Sequence, residues 1–463
     1  MNVLLLNPPS EKGFIRSGRW TRTTRANQSW YPIWLAYCTG FLQQHGFNCE
    51  LIDASVEGIN YDSVYIRVKY LKPDVILYYW CYDNMEDDLA FADVLAKYSR
   101  VILVGPWSLC ATDVLQKTKR IHVMTYGEFE HTCLELLTTN HYSNVNGVIW
   151  RNHIDNTIHI NPRRPLCSTQ ELDSMPFVTS VYRQFLNPKN YRQTSLKFPF
   201  IDLFGARGCP SNCTYCVWTR AFQNGPSYRP RSIKNVINEL WYIKNSLPEI
   251  KQVFFQDDTL PPKRATELSQ AILNEKLNIC WGGYSRAEQS YETLKLMKES
   301  GCRTLHIGYE SPIQSNLNLI QKGIEVKQMK EFANNIKKLN MWTSATFMLF
   351  PWMTEKEIKF TIKWAKSIKP KRINFIQAQA YPNTPYFNKL KLFSEHSNTT
   401  LPTDNGPRCV GKLMSTEEMK KWEQWSFKQF YFYNPRFYYE VLKSPREWKQ
   451  VLKDAEGLLN FLG

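Results

Sequence analysis

The length, charge and cysteine content of the chain exclude several classes of protein. Its 463 residues are enough for two or three domains with sizeable cores. No run of about 18 apolar residues occurs, and the N-terminus lacks signal-peptide features, so we expect a cytoplasmic protein without a membrane span. Twelve cysteines in so long a chain do not indicate a secreted disulfide framework. The net charge of +16 favours an acidic partner, but the basic residues are scattered, which does not favour nucleic acid.

Residues 1–143 alternate apolar strands with helical segments. The candidate strands are VLLLN (3–7), FNCELIDA (47–54), DVILYYW (74–80), RVILVG (100–105) and IHVMTYGE (121–128). This alternation predicts an α/β fold with a parallel, doubly wound, Rossmann-like sheet. Ligands of such sheets bind at the carboxyl ends of the strands. The residues there are candidates for a cofactor site, and the alternative is a Rossmann-like domain that has lost its cofactor.

The rest of the chain divides into three parts. Residues 144–197 predict a short hairpin and a linker. Residues 198–390 repeat a strand–helix pattern six times, which predicts a partial β/α barrel with its functional groups at the carboxyl ends of the strands. Residues 391–463 contain a turn-rich link and an aromatic helical pattern, and they predict a small helical C-terminal domain.

Three closely spaced cysteines follow the first strand of the predicted barrel. Cys209, Cys213 and Cys216 lie within eight residues, after the apolar run FPFIDLFGARG. Three thiolates can hold three irons of a 4Fe–4S cluster and leave the fourth iron open, as in a reactive centre. The alternatives are a structural zinc site, for which no fourth Cys or His is near in sequence, and three unrelated thiols.

The spacing CxxxCxxC, with Tyr215 before the last cysteine, resembles the radical S-adenosylmethionine (SAM) superfamily. The resemblance extends over about 198–390 and includes FFQDD, YSRAE, GYES and YPNTPYF. It implies that the open iron binds SAM, and that the other SAM contacts come from Tyr215, Asp257, Asp258, Ser285, Arg286 and Glu310. The sequence departs from the family pattern at Phe350 and Asn383, where glycine is usual. Each acid, taken singly, is also compatible with a helix cap or a surface salt bridge.

Residues 1–140 resemble the cobalamin-binding domain that precedes many radical SAM enzymes. The resemblance includes NPP, HGFNCELID, VILVGPW and YGEFE. It implies a cobalamin site at the strand ends, formed by Asn7, Pro8, Ser10, Trp80, Tyr82, Gly105, Trp107, Gly127 and Glu128. The DxHxxG motif is missing, so we expect no histidine on the lower face of cobalt. Trp80 and Tyr82 are candidates for that face.

Together the two resemblances imply a cobalamin-dependent radical SAM methyltransferase that acts on an unactivated carbon. A 5′-deoxyadenosyl radical would take a hydrogen atom from the substrate, and methylcobalamin would donate the methyl group. The substrate is unknown: a peptide or protein side chain, or a secondary-metabolite precursor. The resemblance also implies an external electron donor such as flavodoxin or ferredoxin. Two alternatives stay open, namely a radical SAM cyclase or rearrangement enzyme with cobalamin, and a basic iron–sulfur RNA-binding protein.

Overall fold

Two mainly parallel sheets, one in each half of the chain, form the framework of the protein. The computed structural model describes residues 1–10, 14–17, 22–23, 28–105, 114–139, 141–395, 399–403, 406–410 and 413–435. Trp107, one of the predicted cobalamin contacts, lies outside the described residues. Within these residues no helix is both long and apolar enough to cross a membrane.

The described residues of the first half form nine strands and five α-helices. The strands are β1 (Asn2–Asn7), β2 (Phe14–Ile15), β3 (Arg22–Thr23), β4 (Asn48–Asp53), β5 (Val75–Tyr79), β6 (Arg100–Val104), β7 (Val123–Thr125), β8 (Val148–Arg151) and β9 (Ile158–Ile160). The helices are α1 (Ile33–Gln44), α2 (Ala54–Glu57), α3 (Tyr61–Leu71), α4 (Met85–Leu95) and α5 (Glu130–Thr138). Both faces of β1 and β5 are buried, which explains their unbroken apolar sequences.

The first sheet has the order β4-β1-β5-β6-β7-β8-β9. The strands from β4 to β7 are parallel, as the sequence predicts, and β8 and β9 add antiparallel strands at one edge. The predicted hairpin after residue 143 is therefore part of this sheet, which extends to Ile160. Sequence alternation does not reveal which sheet a short hairpin joins, because the pairing partner is distant in sequence.

Helix α1 lies between the two halves of the molecule. Ten of its twelve residues are buried, so it is apolar on all sides and not amphipathic. Just before it, the Tyr31 ring stacks at 3.8 Å on Tyr191 in the linker, and its hydroxyl donates to the carbonyl of Phe200 at 2.8 Å. The linker contributes α6 (Thr169–Ser174) and α7 (Val178–Phe185), and α7 packs on α1. These contacts join the first sheet to the start of the second.

The second half is the six-stranded partial barrel that the sequence predicts. Its elements are β10 (Phe200–Leu203), β11 (Ala206–Arg207), β12 (Arg229–Pro230), α8 (Ile233–Ser246), β13 (Gln252–Phe255), α9 (Pro262–Asn274), β14 (Trp281–Ser285), α10 (Tyr291–Glu299), β15 (Cys302–Glu310), α11 (Gln314–Leu319), α12 (Val326–Lys338), β16 (Trp342–Leu349), α13 (Glu355–Ile368) and β17 (Arg372–Gln377). The parallel strands follow chain order, β10-β13-β14-β15-β16-β17, while β11 and β12 form a separate hairpin.

The C-terminal segment is not purely helical. It contains α14 (Pro385–Glu395), an antiparallel hairpin of β18 (Thr399–Thr403) and β19 (Gly406–Val410), and α15 (Thr416–Tyr431). The sequence prediction missed this hairpin, since its strands interrupt a mostly helical pattern. Helix α15 packs on the edge strand β17, where the Tyr431 hydroxyl accepts from the Ile373 amide at 2.9 Å and donates to its carbonyl at 3.0 Å. The edge strand is thereby covered on the side away from β16.

Candidate active site at the cysteine loop

The three predicted cluster ligands lie on a loop closed at its base by the β11–β12 hairpin. Gly208 has φ +93°, and a Cβ atom there would lie 2.4 Å from the carbonyl oxygen of Ser227. Only glycine allows the two ends of the loop to approach this closely. The Ser227 amide then donates to the carbonyl of Cys209 at 3.0 Å. The base of the cysteine loop is thus held by backbone contacts that other residues would disrupt.

The cysteines themselves are largely shielded from solvent. Cys213 and Cys216 are buried and Cys209 is half-buried. Burial raises the pKa of the thiols of Cys209 and Cys213. A metal ion bound by such thiols would deprotonate them. Within the described residues, no three His, Cys, Asp or Glu side chains are close enough together to hold a single metal ion. A loop with one thiol for each of three irons fits the donor chemistry of a 4Fe–4S cluster, and this assignment stays a prediction.

Glu310 is the best-defined polar group near the cysteine loop. It ends β15 at an irregularity in the pairing with β16, and its φ of +61° is unusual for a residue other than glycine. The Tyr215 hydroxyl donates to its Oε1 at 2.9 Å, and Lys322 Nζ donates to the same oxygen at 2.8 Å. All three side chains are buried. The structure therefore brings Tyr215 and Glu310 together, as the resemblance implies for two SAM contacts.

Lys322 was missed by the sequence prediction. It lies in the QKG turn after α11, far in sequence from the cysteines, yet it acts on Cys213 electrostatically. A buried lysine in a turn has no local pattern that separates it from a surface lysine, which is far more common.

Asp257 and Asp258 have different environments although they are adjacent. Asp257 is buried and accepts from the Gly205 amide at 2.6 Å, which ties the end of β13 to the start of the cysteine loop. Burial raises the pKa of Asp257 to about 7, whereas the backbone hydrogen bonds oppose this shift. Asp258 accepts a hydrogen bond from the side-chain Nε2 of Gln223 at 2.7 Å. The negative charge of Asp258 contributes to the raised pKa of the Cys209 thiol. These contacts favour a supporting role for Asp257 and leave Asp258 as the SAM candidate.

Arg286 connects β14 to the turn that carries Lys322. Its Nη2 donates to the carbonyls of Lys322 and Gly323 at 2.7 and 3.1 Å, and its Nε donates to Glu288 at 2.9 Å. The Ser285 hydroxyl donates to the carbonyl of Arg286 at 2.9 Å. Burial lowers the pKa of Arg286, but Glu288 and the cysteine thiols outweigh this and raise it. Arg286 is thus a charged group near the cysteine loop, and a charged guanidinium is the kind of group that binds a carboxylate.

The carboxyl edge of the first sheet contains most of the predicted cobalamin contacts. Asn7 donates to Asp53 at 2.7 Å, and the hydroxyls of Ser10 and Ser55 are 2.6 Å apart. Trp80 is fully buried, and its Nε1 has no hydrogen-bond partner within the described residues. An indole N–H left in this way is a donor for a polar ligand at the strand end, which fits a cofactor at this edge.

Two of the predicted cobalamin contacts, Tyr82 and Gly127, lie next to residues of the barrel half. Tyr82 meets Tyr381, which follows the last barrel strand, with the ring centroids 6.1 Å apart. Gly127 has φ +77°, and a Cβ atom there would lie 3.9 Å from the carbonyl of Phe222, just after the cysteine loop. The carboxyl edges of the two sheets therefore face each other. Pro8 and Gly105 also lie at this edge, and a Cβ atom added at Gly105 would lie 3.1 Å from the carbonyl oxygen of Trp80.

Glu128 has a different environment from the one expected of a cobalamin contact. Its carboxylate is buried and pairs with the guanidinium of Arg229. Nη2 of Arg229 lies 2.8 Å from Oε1, and Nη1 donates to Oε2 at 2.9 Å. Burial alone would raise the pKa of Glu128, but Arg207 and Arg229 hold it below its ordinary value. The carboxylate is committed to contacts between the two halves of the protein, which favours a structural role.

Comparison with known proteins agrees with this geometry. Residues 204–365 match the radical SAM superfamily. An uncharacterized methyltransferase of Pyrococcus horikoshii is 28% identical over 394 residues, or 83% of this chain and 82% of that protein. The anaerobic magnesium-protoporphyrin IX monomethyl ester cyclase of Cereibacter sphaeroides is 23% identical, over 89% of this chain and 68% of that protein. The structure of the cobalamin-dependent radical SAM enzyme OxsB, with aqua-cobalamin and SAM bound, has a TM-score of 0.68 at 15% identity, covering 99% of this chain and 71% of OxsB.

The barrel and its cysteine loop are thus a radical SAM domain, and the predictions of a radical SAM fold and of an enzyme are confirmed. Over the described residues the chain is similar in fold to the cobalamin-dependent radical SAM enzyme OxsB, and methyltransferases are among its relatives.

Proposed function

We propose that this protein is a cobalamin-dependent radical SAM methyltransferase that methylates an unactivated carbon. The observation that carries the proposal is the meeting of two carboxyl edges: the Rossmann-like edge with Trp80 and Tyr82, and the barrel edge with the cysteine loop, Glu310 and Tyr381. A substrate between these edges would reach a radical source on one side and a methyl donor on the other. When bound, the cluster with SAM supplies the radical, and methylcobalamin supplies the methyl group.

The residues of the chain hold and orient these groups. Cys209, Cys213 and Cys216 would anchor the cluster. Glu310 would accept hydrogen bonds from the ribose hydroxyls of SAM, while its contacts with Lys322 and Tyr215 fix the direction of its carboxylate.

Two further charged groups complete the proposed SAM site. Arg286 would pair with the carboxylate of SAM, and Asp258 would receive its amino group. Arg286, Glu310 and Lys322 are buried, so water would be excluded from the carboxylate and the ribose of the ligand, which strengthens each of these interactions. The residues at the edge of the first sheet, including Trp80, would hold cobalamin.

The proposed reaction also requires an electron donor. Radical SAM enzymes need an external electron donor, and we propose a small flavodoxin-like or ferredoxin-like protein in the cytoplasm.

Product stoichiometry tests the proposed reaction. Methyl transfer consumes two SAM molecules, one as the radical source and one as the methyl donor. Enzyme purified without oxygen and supplied with reductant and candidate substrates should therefore release 5′-deoxyadenosine and S-adenosylhomocysteine in equal amounts. The product should be heavier than the substrate by one methylene group. Deoxyadenosine without matching S-adenosylhomocysteine would refute methylation.

The second candidate is a radical SAM cyclase or rearrangement enzyme with cobalamin. It is favoured by the similarity to the Cereibacter sphaeroides cyclase over most of the chain. The same assay separates the two functions, because cyclisation produces no S-adenosylhomocysteine in step with turnover. A product that keeps the carbon count of the substrate would support this second candidate.

A further inference from the structure

Two buried ion pairs connect the first domain to the base of the cysteine loop. Arg207 lies two residues before Cys209, and its Nη2 donates to Oε1 of Glu130 at 2.6 Å. Its Nη1 is 3.7 Å from Oε1 of Glu128. The side chains of Arg207, Glu130 and Glu128 are 2%, 0% and 3% exposed, so the charges are removed from water. Both glutamates belong to the first domain (residues 1–143), Glu128 between β7 and α5 and Glu130 at the first position of α5.

The Arg207 guanidinium is also enclosed by aromatic rings. Its Cζ lies 4.6 Å from the ring centroid of Trp34 and 5.1 Å from that of Tyr37, both on helix α1 of the first domain. The Phe204 ring, on its own domain, is 5.6 Å away. A guanidinium held by carboxylates on one side and by rings on the others has one available position.

The opposite strand of the hairpin is fixed in the same way. Arg229 pairs with Arg207 across β11–β12, and both of its terminal nitrogens contact the Glu128 carboxylate. Its Nη1 also donates to the carbonyl of Cys167 in the linker at 2.9 Å. The two strands that enter and leave the cysteine loop are therefore both held by carboxylates of the first domain.

The segment that follows the last cysteine of the loop also contacts the first domain and the linker. Trp218 follows Cys216 by two residues and stacks on Trp34 of the first domain, at 6.1 Å and 11° between the ring planes. Arg163 of the linker donates to the carbonyl of Phe222 at 2.7 Å. The first domain therefore contacts the loop before its first cysteine and after its last.

The geometry points to a second role for the first domain: it positions the cysteine loop through Glu130 and Arg207, which act as positioning residues for the cluster. This inference rests on the cluster of the proposed function. Buried ion pairs add little net stability, because desolvation offsets the attraction, but they fix one arrangement of the groups that they join. Two such pairs at the base of one loop set where the three thiolates lie relative to the cobalamin edge.

The test compares Glu130→Gln and Arg207→Lys with Asp88→Asn as a matched control. Asp88 forms an equally buried pair with Arg16 at 2.5 Å, but within the first domain and without a described contact to the cysteine loop. Full-length enzyme is reconstituted without oxygen, and circular dichroism confirms that each variant is folded. The readouts are the electron paramagnetic resonance spectrum of the reduced cluster and the rate at which a chelator removes iron.

We expect altered g-values and at least roughly tenfold faster iron loss in both variants. Glu130→Gln removes the negative partner of a buried guanidinium, and Arg207→Lys keeps the charge but loses the planar group that contacts two carboxylates. The control should keep the wild-type spectrum and rate. Unchanged cluster properties in folded variants, or the same change in the control, would overturn the inference. If Glu130→Gln does not fold, Arg207→Lys decides, since it keeps the charge. A wild-type protein that holds no iron would instead overturn the proposed function.

Discussion

Replacing Lys322 with methionine tests the most specific contact of the proposed SAM site. The substitution keeps the length and the apolar stem of the side chain but removes the ammonium group that lies 2.8 Å from Glu310. The side chains of the pair are 6% and 8% exposed, so water cannot replace the lost partner. Tyr215 remains as the hydrogen-bond donor to the carboxylate.

The size of the effect follows from burial. Removing one partner of a buried ion pair costs about 3–5 kcal/mol, and the remaining Tyr215 hydrogen bond places the expected loss of unfolding free energy near the lower value. A hydrogen bond from a ribose hydroxyl to a charged acceptor contributes about 1.5–3 kcal/mol, so a misplaced Glu310 should weaken SAM binding roughly 10- to 100-fold. Lys322→Arg keeps the charge and should recover part of both losses.

The assay is denaturant unfolding together with equilibrium binding of SAM to the reconstituted enzyme. Lys295→Met is the control, because Lys295 forms an exposed pair with Glu299 at 3.9 Å, with side chains 58% and 51% exposed. Its loss should change the unfolding free energy by about 0.3–0.5 kcal/mol and leave SAM binding intact. Equal effects of the two substitutions, or wild-type SAM affinity in Lys322→Met, would refute the assignment of Glu310 and Lys322 to the SAM site.

Two other predictions concern the cluster and a buried acid. Changing Cys209, Cys213 or Cys216 singly to Ala should abolish SAM cleavage, whereas Cys49→Ala should keep the iron content; full iron in the triple variant would contradict this. Burial raises the pKa of Asp202 to about 7, so the folded state holds a proton that the unfolded chain has lost, and stability falls as the pH rises from about 4 to about 7. Asp202→Asn should remove up to about 3 kcal/mol of the stability difference between pH 5 and pH 8, measured by denaturant unfolding, and parallel pH profiles would disprove it.

The amino-acid sequence by itself determined the features that depend on local pattern. Unbroken apolar runs such as VLLLN and VILYY specify strands buried on both faces, and alternation with helices specifies parallel sheets. The three cysteines lie within eight residues, so their loop is visible without any tertiary contact. Glu310 was predicted as a SAM contact from the resemblance of GYES to the radical SAM family, and it lies at the end of a barrel strand.

The tertiary structure decided everything that depends on pairing between distant segments. Lys322 reaches Glu310 only because a turn folds over the end of β15, and no sequence spacing predicts that contact. Glu128, a predicted cofactor contact, is an ion-pair partner in the structure because Arg229, 101 positions away, comes to the same buried point. A charge is costly to bury without a partner, so the fold decides which charged residues pair. The sequence shows only that they are charged.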